Sequence, residues 1–101
     1  MSTSTNNYDA LEQLIYQENI RIKSLDIHPE LDILLILLNT GSVLKEPLSR
    51  YALLSTATVE QLSKYELIGG GTGIHWTDLD EDLSLKGFLR NSLKDMVVNR
   101  T

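Results

Sequence analysis

An uninterrupted apolar segment near the middle of the chain is the feature that most constrains the fold. Between Leu31 and Leu38 the only charged residue is Asp32, and six consecutive apolar side chains follow it. The segment is far shorter than the roughly 20 residues that cross a bilayer as a helix. Its length and uniform apolarity are typical of a strand that is covered on both faces. We therefore predict a buried strand over Leu31 to Leu38, covered by the protein's own helices or by a second copy of the chain.

The segments on either side of this strand predict a small antiparallel sheet. Residues 20–27 have apolar side chains at alternate positions, apart from a slip in phase at Lys23 and Ser24 that indicates a bulge. Pro29 is expected to end this extended segment because proline lacks the backbone donor. The Asn-Thr-Gly sequence at 39–41 then predicts a hairpin turn, with a partner strand over 42–46.

The second half of the chain predicts another hairpin and short helices. Residues 47–55 are expected to turn through a short irregular helix. Thr58 and Gln61 fit a capping box that begins a helix over 59–64. Strands are expected over 65–68 and 74–76, on either side of a glycine-rich turn at 69–73 whose residues need positive φ.

Apolar residues at helical spacing predict a helix at each end of the chain. The N-terminal helix is expected from Tyr8 onward with Asn7 as its N-cap, and the C-terminal helix after Asp82 or Ser84. The apolar face of the first comprises Tyr8, Leu11, Leu14 and Ile15, and that of the second Leu85, Phe88, Leu89, Leu93 and Met96. Residues 1–7 are small and polar and are expected to be mobile. We therefore predict a single α+β domain over 8–101, in which two hairpins form a small antiparallel β-sheet packed with short helices.

Composition and charge exclude several classes of function. The 101 residues include no cysteine, which excludes disulfides, thiolate catalysis and cysteine metal sites. The net charge is −5 and the nine basic residues form no run, which argues against direct binding of nucleic acid. Neither a membrane span nor the apolar core of a secretory signal is present, so the expected location is the cytoplasm. A basic protein is the kind of partner that suits this charge.

The glycine-rich turn has two interpretations. Successive backbone amides of Gly69, Gly70, Gly71, Thr72 and Gly73 can bind an anion. However, no Lys-Ser or Lys-Thr pair follows the glycines, and a strand rather than a helix is expected next. We therefore favour a hairpin turn and retain anion binding as the alternative.

Four carboxylates lie within five residues at Asp78, Asp80, Glu81 and Asp82. A calcium loop needs glycine at its sixth position and glutamate at its twelfth, and neither is present when the count starts at Asp78 or Asp80. Three interpretations remain open: a weak cation site, charges that complement the N-terminus of the following helix, or a docking surface for a basic partner. We predict no dedicated metal site.

The two histidines, His28 and His75, complete no catalytic signature. Neither lies in an H-E-x-x-H sequence, and no serine lies in G-x-S-x-G. His75 with Asp78 is an alternative acid/base pair, although a histidine between strand neighbours is more often structural. Trp76 is interpreted as a packing residue at the core or its rim. We predict no catalytic residue and no cofactor, and we keep His75 and Trp76 as candidates for contact with a partner.

Residues Leu67 to Ser84 combine the sequence Ile-Gly-Gly-Gly-x-Gly-Ile-His-Trp with a following Asp-Leu-Asp-x-Asp. A strand, an Asn-x-Gly turn, a second strand and a Thr-x-Glu-Gln helix precede them. In this order the motifs resemble the bacterial domain of unknown function 2442 family (DUF2442), in the version common in cyanobacteria. The resemblance covers residues 19–89 and leaves the N-terminal helix outside. Thr77 and Val59 stand where the family often has proline.

The resemblance implies a small α+β cytoplasmic protein, often encoded beside another small protein in pairs that look like toxin–antitoxin modules. It implies no catalytic residues, and too few residues follow Leu89 for the helix-turn-helix that some relatives carry. We expect a non-enzymatic protein-interaction module, antitoxin-like, that binds a small basic partner through a sheet edge or the surface from Asp78 to Asp82. The alternative is a small-ligand or cation-binding domain that uses the turn from Gly69 to Gly73 with those carboxylates. A homodimer that covers the strand from Leu31 to Leu38 is a further expectation.

Overall fold

Two three-stranded antiparallel sheets and short helices make up the residues that the computed structural model describes, 9–98. The expected N-cap Asn7, the helix start at Tyr8 and the tail at 1–7 lie outside the described residues. In chain order the elements are α1 (Ala10–Gln17), β1 (Ile22–His28), β2 (Ile33–Leu38), β3 (Val43–Glu46), α2 (Ala52–Ser55), α3 (Val59–Ser63), β4 (Tyr65–Ile68), β5 (Gly73–Trp76), β6 (Glu81–Ser84) and α4 (Leu85–Val98). Sheet 1 has the strand order β1-β2-β3 and sheet 2 the order β4-β5-β6. The predicted α+β class is confirmed.

Sheet 1 follows the turn and bulge signals of the sequence. The register between β1 and β2 shifts between Ile22 and Ser24, where the apolar pattern slips. Pro29 begins a short 3-10 turn after β1, and Asp32 follows it with a left-handed backbone (φ 56°). Gly41 has φ 95° in the turn between β2 and β3, a conformation that favours glycine. The predicted bulge and hairpin are confirmed.

The prediction of a strand over Leu31 to Leu38 is wrong at its start, and within a single chain only one face of the strand meets the core. Leu31 lies in the 3-10 turn with 61% of its surface exposed, so the strand begins at Ile33. Within β2 the residues Leu34, Ile36 and Leu38 are buried, whereas the alternate residues are only half-buried: Ile33, Leu35 and Leu37. Since every residue of β2 is apolar, the sequence has no alternation to show that a single face meets the core.

Sheet 2 contains the predicted hairpin and an additional strand. The turn between β4 and β5 has positive φ at Gly69, Gly70 and Gly71, whereas Gly73 lies within β5 and does not need it. The third strand, β6, was not predicted because its acidic residues have low β propensity. Its backbone pairs with β5, with Glu81 opposite Trp76 and Asp82 opposite His75.

The helices begin at side-chain caps. In α3 the capping box of Thr58 and Gln61 is present, as predicted. Gly87 N–H donates to Ser84 Oγ at 3.0 Å, which confirms Ser84 rather than Asp82 as the cap of α4. The cap of α1 is Asp9, which forms a capping box with Glu12.

The two sheets and the two longer helices share one hydrophobic core. Its fully buried side chains include Leu34 and Ile36 from sheet 1, Ile74 and Trp76 from sheet 2, and Phe88 from α4. Lys86 of α4 holds α1 in place through Asp9 (Nζ–Oδ2 2.8 Å) and Glu12 (Nζ–Oε1 3.4 Å). The hydrogen bond to Lys86 lowers the pKa of Asp9 and raises that of Lys86. Among residues 9–98 no helix has the length and apolarity needed to span a membrane.

Candidate functional site

The four predicted carboxylates lie along one margin of sheet 2. Asp78 is in the 3-10 turn after β5, Asp80 follows that turn, and Glu81 and Asp82 begin β6. We call these four residues the acidic edge, since β6 is an outer strand of its sheet. Three of the side chains are exposed, and Glu81 is half-buried. The margin therefore places a concentrated negative charge at the surface.

Within residues 9–98, only two of these four carboxylates lie at ion-pair distance from a lysine or histidine side chain. Lys64 Nζ lies 3.6 Å from Asp78 Oδ2, and His75 Nδ1 lies 2.5 Å from Asp82 Oδ1. Asp80 and Glu81 form no ion pair with any residue in the range 9–98. An exposed lysine–aspartate pair is worth little and is screened by salt. The acidic edge therefore keeps most of its negative potential.

The backbone fixes the positions of these charges. Asp80 has φ 50°, and its N–H donates to the carbonyl of Thr77 at 3.4 Å. Glu81 and Asp82 are held by pairing with β5. Adjacent residues of a strand project to opposite faces, so these two carboxylates diverge. The arrangement presents negative charge in several directions rather than around one point.

The structure bears on each interpretation of the acidic run. No three histidine or acidic side chains among the described residues come together to hold a metal ion. The first turn of α4 has no acidic residue and its cap is Ser84, so all four carboxylates precede that helix. The weak cation site, the complement to the helix N-terminus and the docking surface stay predictions.

His75 and Asp82 form a histidine–carboxylate contact of the kind that is found in catalytic pairs. His75 lies between Glu66 of β4 and Asp82 of β6 in one cross-strand row. The alternative partner Asp78 was wrong, since that carboxylate lies beside Lys64. A carboxylate on Nδ1 can orient an imidazole, and no described serine or threonine hydrogen bonds to His75. The pair links β5 to β6.

Trp76 is a core residue, and its selection as a partner contact was wrong. None of its surface is exposed. The indole Nε1–H donates to the carbonyl of Leu62 at 3.1 Å, and its ring centroid lies 6.3 Å from that of Tyr65. A residue with all of its surface inside the core cannot contact a partner.

The glycine-rich turn joins the two sheets. Gly71 N–H donates to Ile68 O and Thr72 N–H to Gly69 O, so neither amide is available to an anion. The carbonyl of Gly71 accepts from Ile22 N–H at 2.7 Å, which connects the turn to β1. A Cβ on Gly71 would lie 2.8 Å from the Ile22 carbonyl, so only glycine allows this approach. The turn is a structural junction.

Asp78 and Asp80 lie at the opposite end of β5 from the glycine-rich turn. The turn precedes β5, whereas these two residues follow it. Four residues of extended strand span roughly 13 Å. The alternative in which these two carboxylates bind the same small ligand as the glycine amides is therefore not supported by the fold.

Sequence reasoning missed a buried polar cluster around Glu46. This carboxylate is only 2% exposed, and it accepts hydrogen bonds from the Tyr51 hydroxyl and from Asn91 Nδ2 (3.2 Å). Arg50 Nη1 lies 3.5 Å from the same group. Burial and the neighbouring carboxylate raise the pKa of the Tyr51 phenol. The signal in the sequence was the position of Glu46 two residues after Leu44, on the core face of β3.

Residues 22–94 match the model of a family described as "Protein of unknown function (DUF2442)". The chain belongs to this family. A solution NMR structure of an uncharacterized protein from Chromobacterium violaceum is similar to the DUF2442 fold described here, with 28% identity, a TM-score of 0.65 and coverage of 98% of this chain and 96% of that one. A crystal structure of a protein of unknown function from Rhodospirillum rubrum has 29% identity, a TM-score of 0.62 and coverage of 71% and 87%. A comparison with curated proteins finds no match.

Proposed function

We propose that this DUF2442 protein is a non-enzymatic interaction module that binds a small basic protein through the acidic edge. The observation that carries the proposal is the state of Asp80 and Glu81, which form no ion pair with any described residue yet are fixed by backbone hydrogen bonds. A backbone that is ordered before binding loses little further entropy when a partner docks. Such a surface favours fast, salt-sensitive association with a basic partner.

Side chains rather than the strand backbone make this contact. β6 is an outer strand of its sheet, and charged residues on such strands discourage the addition of another strand. Lysine or arginine side chains of a partner can instead form charge-assisted hydrogen bonds to the carboxylates. An antitoxin-like role, in which an acidic surface covers a basic protein in the cytoplasm, is the form of this function that the sequence resemblance suggests.

The experiment is affinity purification of the tagged full-length protein from its own host, followed by mass spectrometry. The decisive bait carries Asp80→Asn and Glu81→Gln, which remove the two unpaired charges and leave the pairs of Asp78 and Asp82 in place. Asparagine tolerates the left-handed backbone at position 80, so this variant is expected to fold normally. A bait with Glu18→Gln and Glu60→Gln loses the same charge at exposed positions elsewhere.

Wild type and the Glu18/Glu60 control are expected to recover one small basic protein in stoichiometric amount. The Asp80/Glu81 bait is expected to recover about tenfold less, equivalent to about 1.4 kcal/mol of lost interaction. Equal recovery by all three baits, or no protein above background with wild type, would contradict the proposal.

A further inference from the structure

The face of sheet 1 that points away from the core carries an apolar strip between two opposite charges. The strip consists of Ile33, Leu35 and Leu37 on β2 together with Val43 on β3, and we call it the outer strip. Residues opposite one another in an antiparallel sheet share a face. Asp26 of β1, Leu35 and Lys45 of β3 lie opposite one another in a single row. The row therefore runs from a negative to a positive side chain across the outer strip.

The hydrophobic core of the described chain packs against the other face of sheet 1. The partly buried apolar residues of sheet 1 that contact the core are on the other face: Leu25, Ile27 and Leu44. The residues of the outer strip are not among those that pack against the core, and Val43 is 53% exposed. A contiguous apolar strip framed by charges is a feature of interaction surfaces.

We propose that the occupant of this face is a second copy of the chain, packed sheet against sheet about a twofold axis that runs along β2. Rotation about that axis places β1 of one copy over β3 of the other. Asp26 of each copy then meets Lys45 of its partner, and the two outer strips bury each other. The interface is self-complementary, as a twofold interface must be.

The charges of Asp26 and Lys45 favour a second copy of the chain as the occupant and a twofold axis parallel to β2. Lys45 forms no ion pair with any residue in the range 9–98, and Asp26 has only its strand neighbour His28, with Oδ2 3.2 Å from Nε2. Sheets that pack face to face are about 10 Å apart, a distance that a lysine and an aspartate side chain can bridge together. A twofold axis across the strands would instead bring Asp26 against Asp26 and Lys45 against Lys45.

The size of the face sets the strength of the association. Three strands of seven, six and four residues, about 4.8 Å apart, give a footprint of roughly 270 Å². Stable interfaces bury about 800 Å² on each partner. The dimer is therefore weak and forms at high micromolar concentration, so its population depends strongly on protein concentration.

Sedimentation equilibrium of the purified full-length protein from about 10 μM to about 1 mM tests the proposal. The average mass of the wild type should rise toward twice that of one chain. Asp26→Lys and Lys45→Asp should each keep the protein monomeric, because each places like charges together. The double variant Asp26→Lys/Lys45→Asp exchanges the charges and should restore the dimer. Glu18→Lys, an equal charge change at an exposed helix end, should leave it unchanged.

Leu35→Lys provides an independent check at the centre of the outer strip and should abolish association. Circular dichroism confirms that each variant is folded. Three results would overturn the proposal: a wild-type mass that stays monomeric at 1 mM, which is about the highest concentration tested, a dimer that survives Leu35→Lys, or a double variant that stays as monomeric as the single ones.

Discussion

At the scale of single residues, the hydroxyl of Tyr51 is the hydrogen-bond donor that gives the clearest test, because its acceptor is the buried carboxylate of Glu46. Tyr51→Phe leaves that carboxylate with one donor fewer and should lower the free energy of unfolding by about 1.5–3 kcal/mol. Tyr65→Phe removes a hydroxyl that accepts from the backbone N–H of Leu25 at 3.1 Å, a neutral bond worth about 1 kcal/mol. Urea denaturation measures both free energies of unfolding, and a smaller loss for Tyr51→Phe than for Tyr65→Phe would contradict this expectation.

His28 has a pH dependence that follows from its two acidic neighbours. Its Nε2 lies 3.2 Å from Asp26 Oδ2 and its Nδ1 3.7 Å from Glu30 Oε2, and the hydrogen bond to Asp26 is the main cause that raises its pKa above 6.5. Because the folded state holds the proton more tightly, this contribution to stability is complete below pH 6.5 and is lost as the pH rises through the folded pKa.

An NMR titration of the imidazole should therefore give His28 a pKa above its ordinary value of 6.5. Asp26→Asn should bring that pKa back toward the ordinary value, whereas Glu66→Gln, on the other sheet, should not change it. A His28 titration that is the same in wild type and Asp26→Asn would show that the pair does not form in solution.

At the scale of secondary structure, the sequence predicted correctly those features that depend on neighbouring residues alone. The bulge at Lys23 and Ser24 and the capping box at Thr58 depend on neighbouring residues only, and both were correct. The strand β6 was missed because its pairing with β5 is a tertiary contact that overrides the low β propensity of Glu81 and Asp82. The exposed face of β2 was missed because six apolar residues in a row contain no alternation.

The glycine-rich turn offers a matched pair of substitutions. Gly70 and Gly71 both have positive φ, but a Cβ on Gly70 meets nothing within 4 Å, whereas one on Gly71 meets the backbone of Ile22 at 2.8 Å. Gly70→Ala should therefore cost about 1 kcal/mol from backbone strain alone. Gly71→Ala should cost roughly 2 kcal/mol or more, because it also separates the turn from β1.

Thermal and urea unfolding of the two alanine variants measure the difference between them. Equal losses of stability would show that the junction between the sheets contributes nothing beyond the turn itself. A larger loss for Gly71→Ala would identify the hydrogen bond from Ile22 to Gly71 as a link that the two sheets need.

At the scale of the whole molecule, the two proposed contacts are on different sheets. The acidic edge belongs to sheet 2, and the outer strip belongs to sheet 1. Substitutions in one are therefore expected to leave the other unchanged, since distant sites that share no partner are usually additive. Loss of the basic partner in Asp80→Asn/Glu81→Gln should not alter self-association, and Leu35→Lys should not alter recovery of the basic partner.

The sequence predicted the residues of the acidic edge but not their arrangement. The run from Asp78 to Asp82 can be seen directly in the sequence, and its charge already suggested a basic partner. Spacing along the chain could not show that Glu81 and Asp82 pair with β5, or that Trp76 lies wholly inside the core. Both facts depend on how the strands pair, and that pairing was only partly encoded in local pattern.

The ratio of partner recovered from host lysate by wild type and by Asp80→Asn/Glu81→Gln, with equal melting temperatures for the two baits, decides whether the acidic edge is the binding surface. We expect one basic protein and a recovery about tenfold higher for wild type. The same amount on both baits would show that the unpaired carboxylates do not hold the partner, and the proposed function would be wrong.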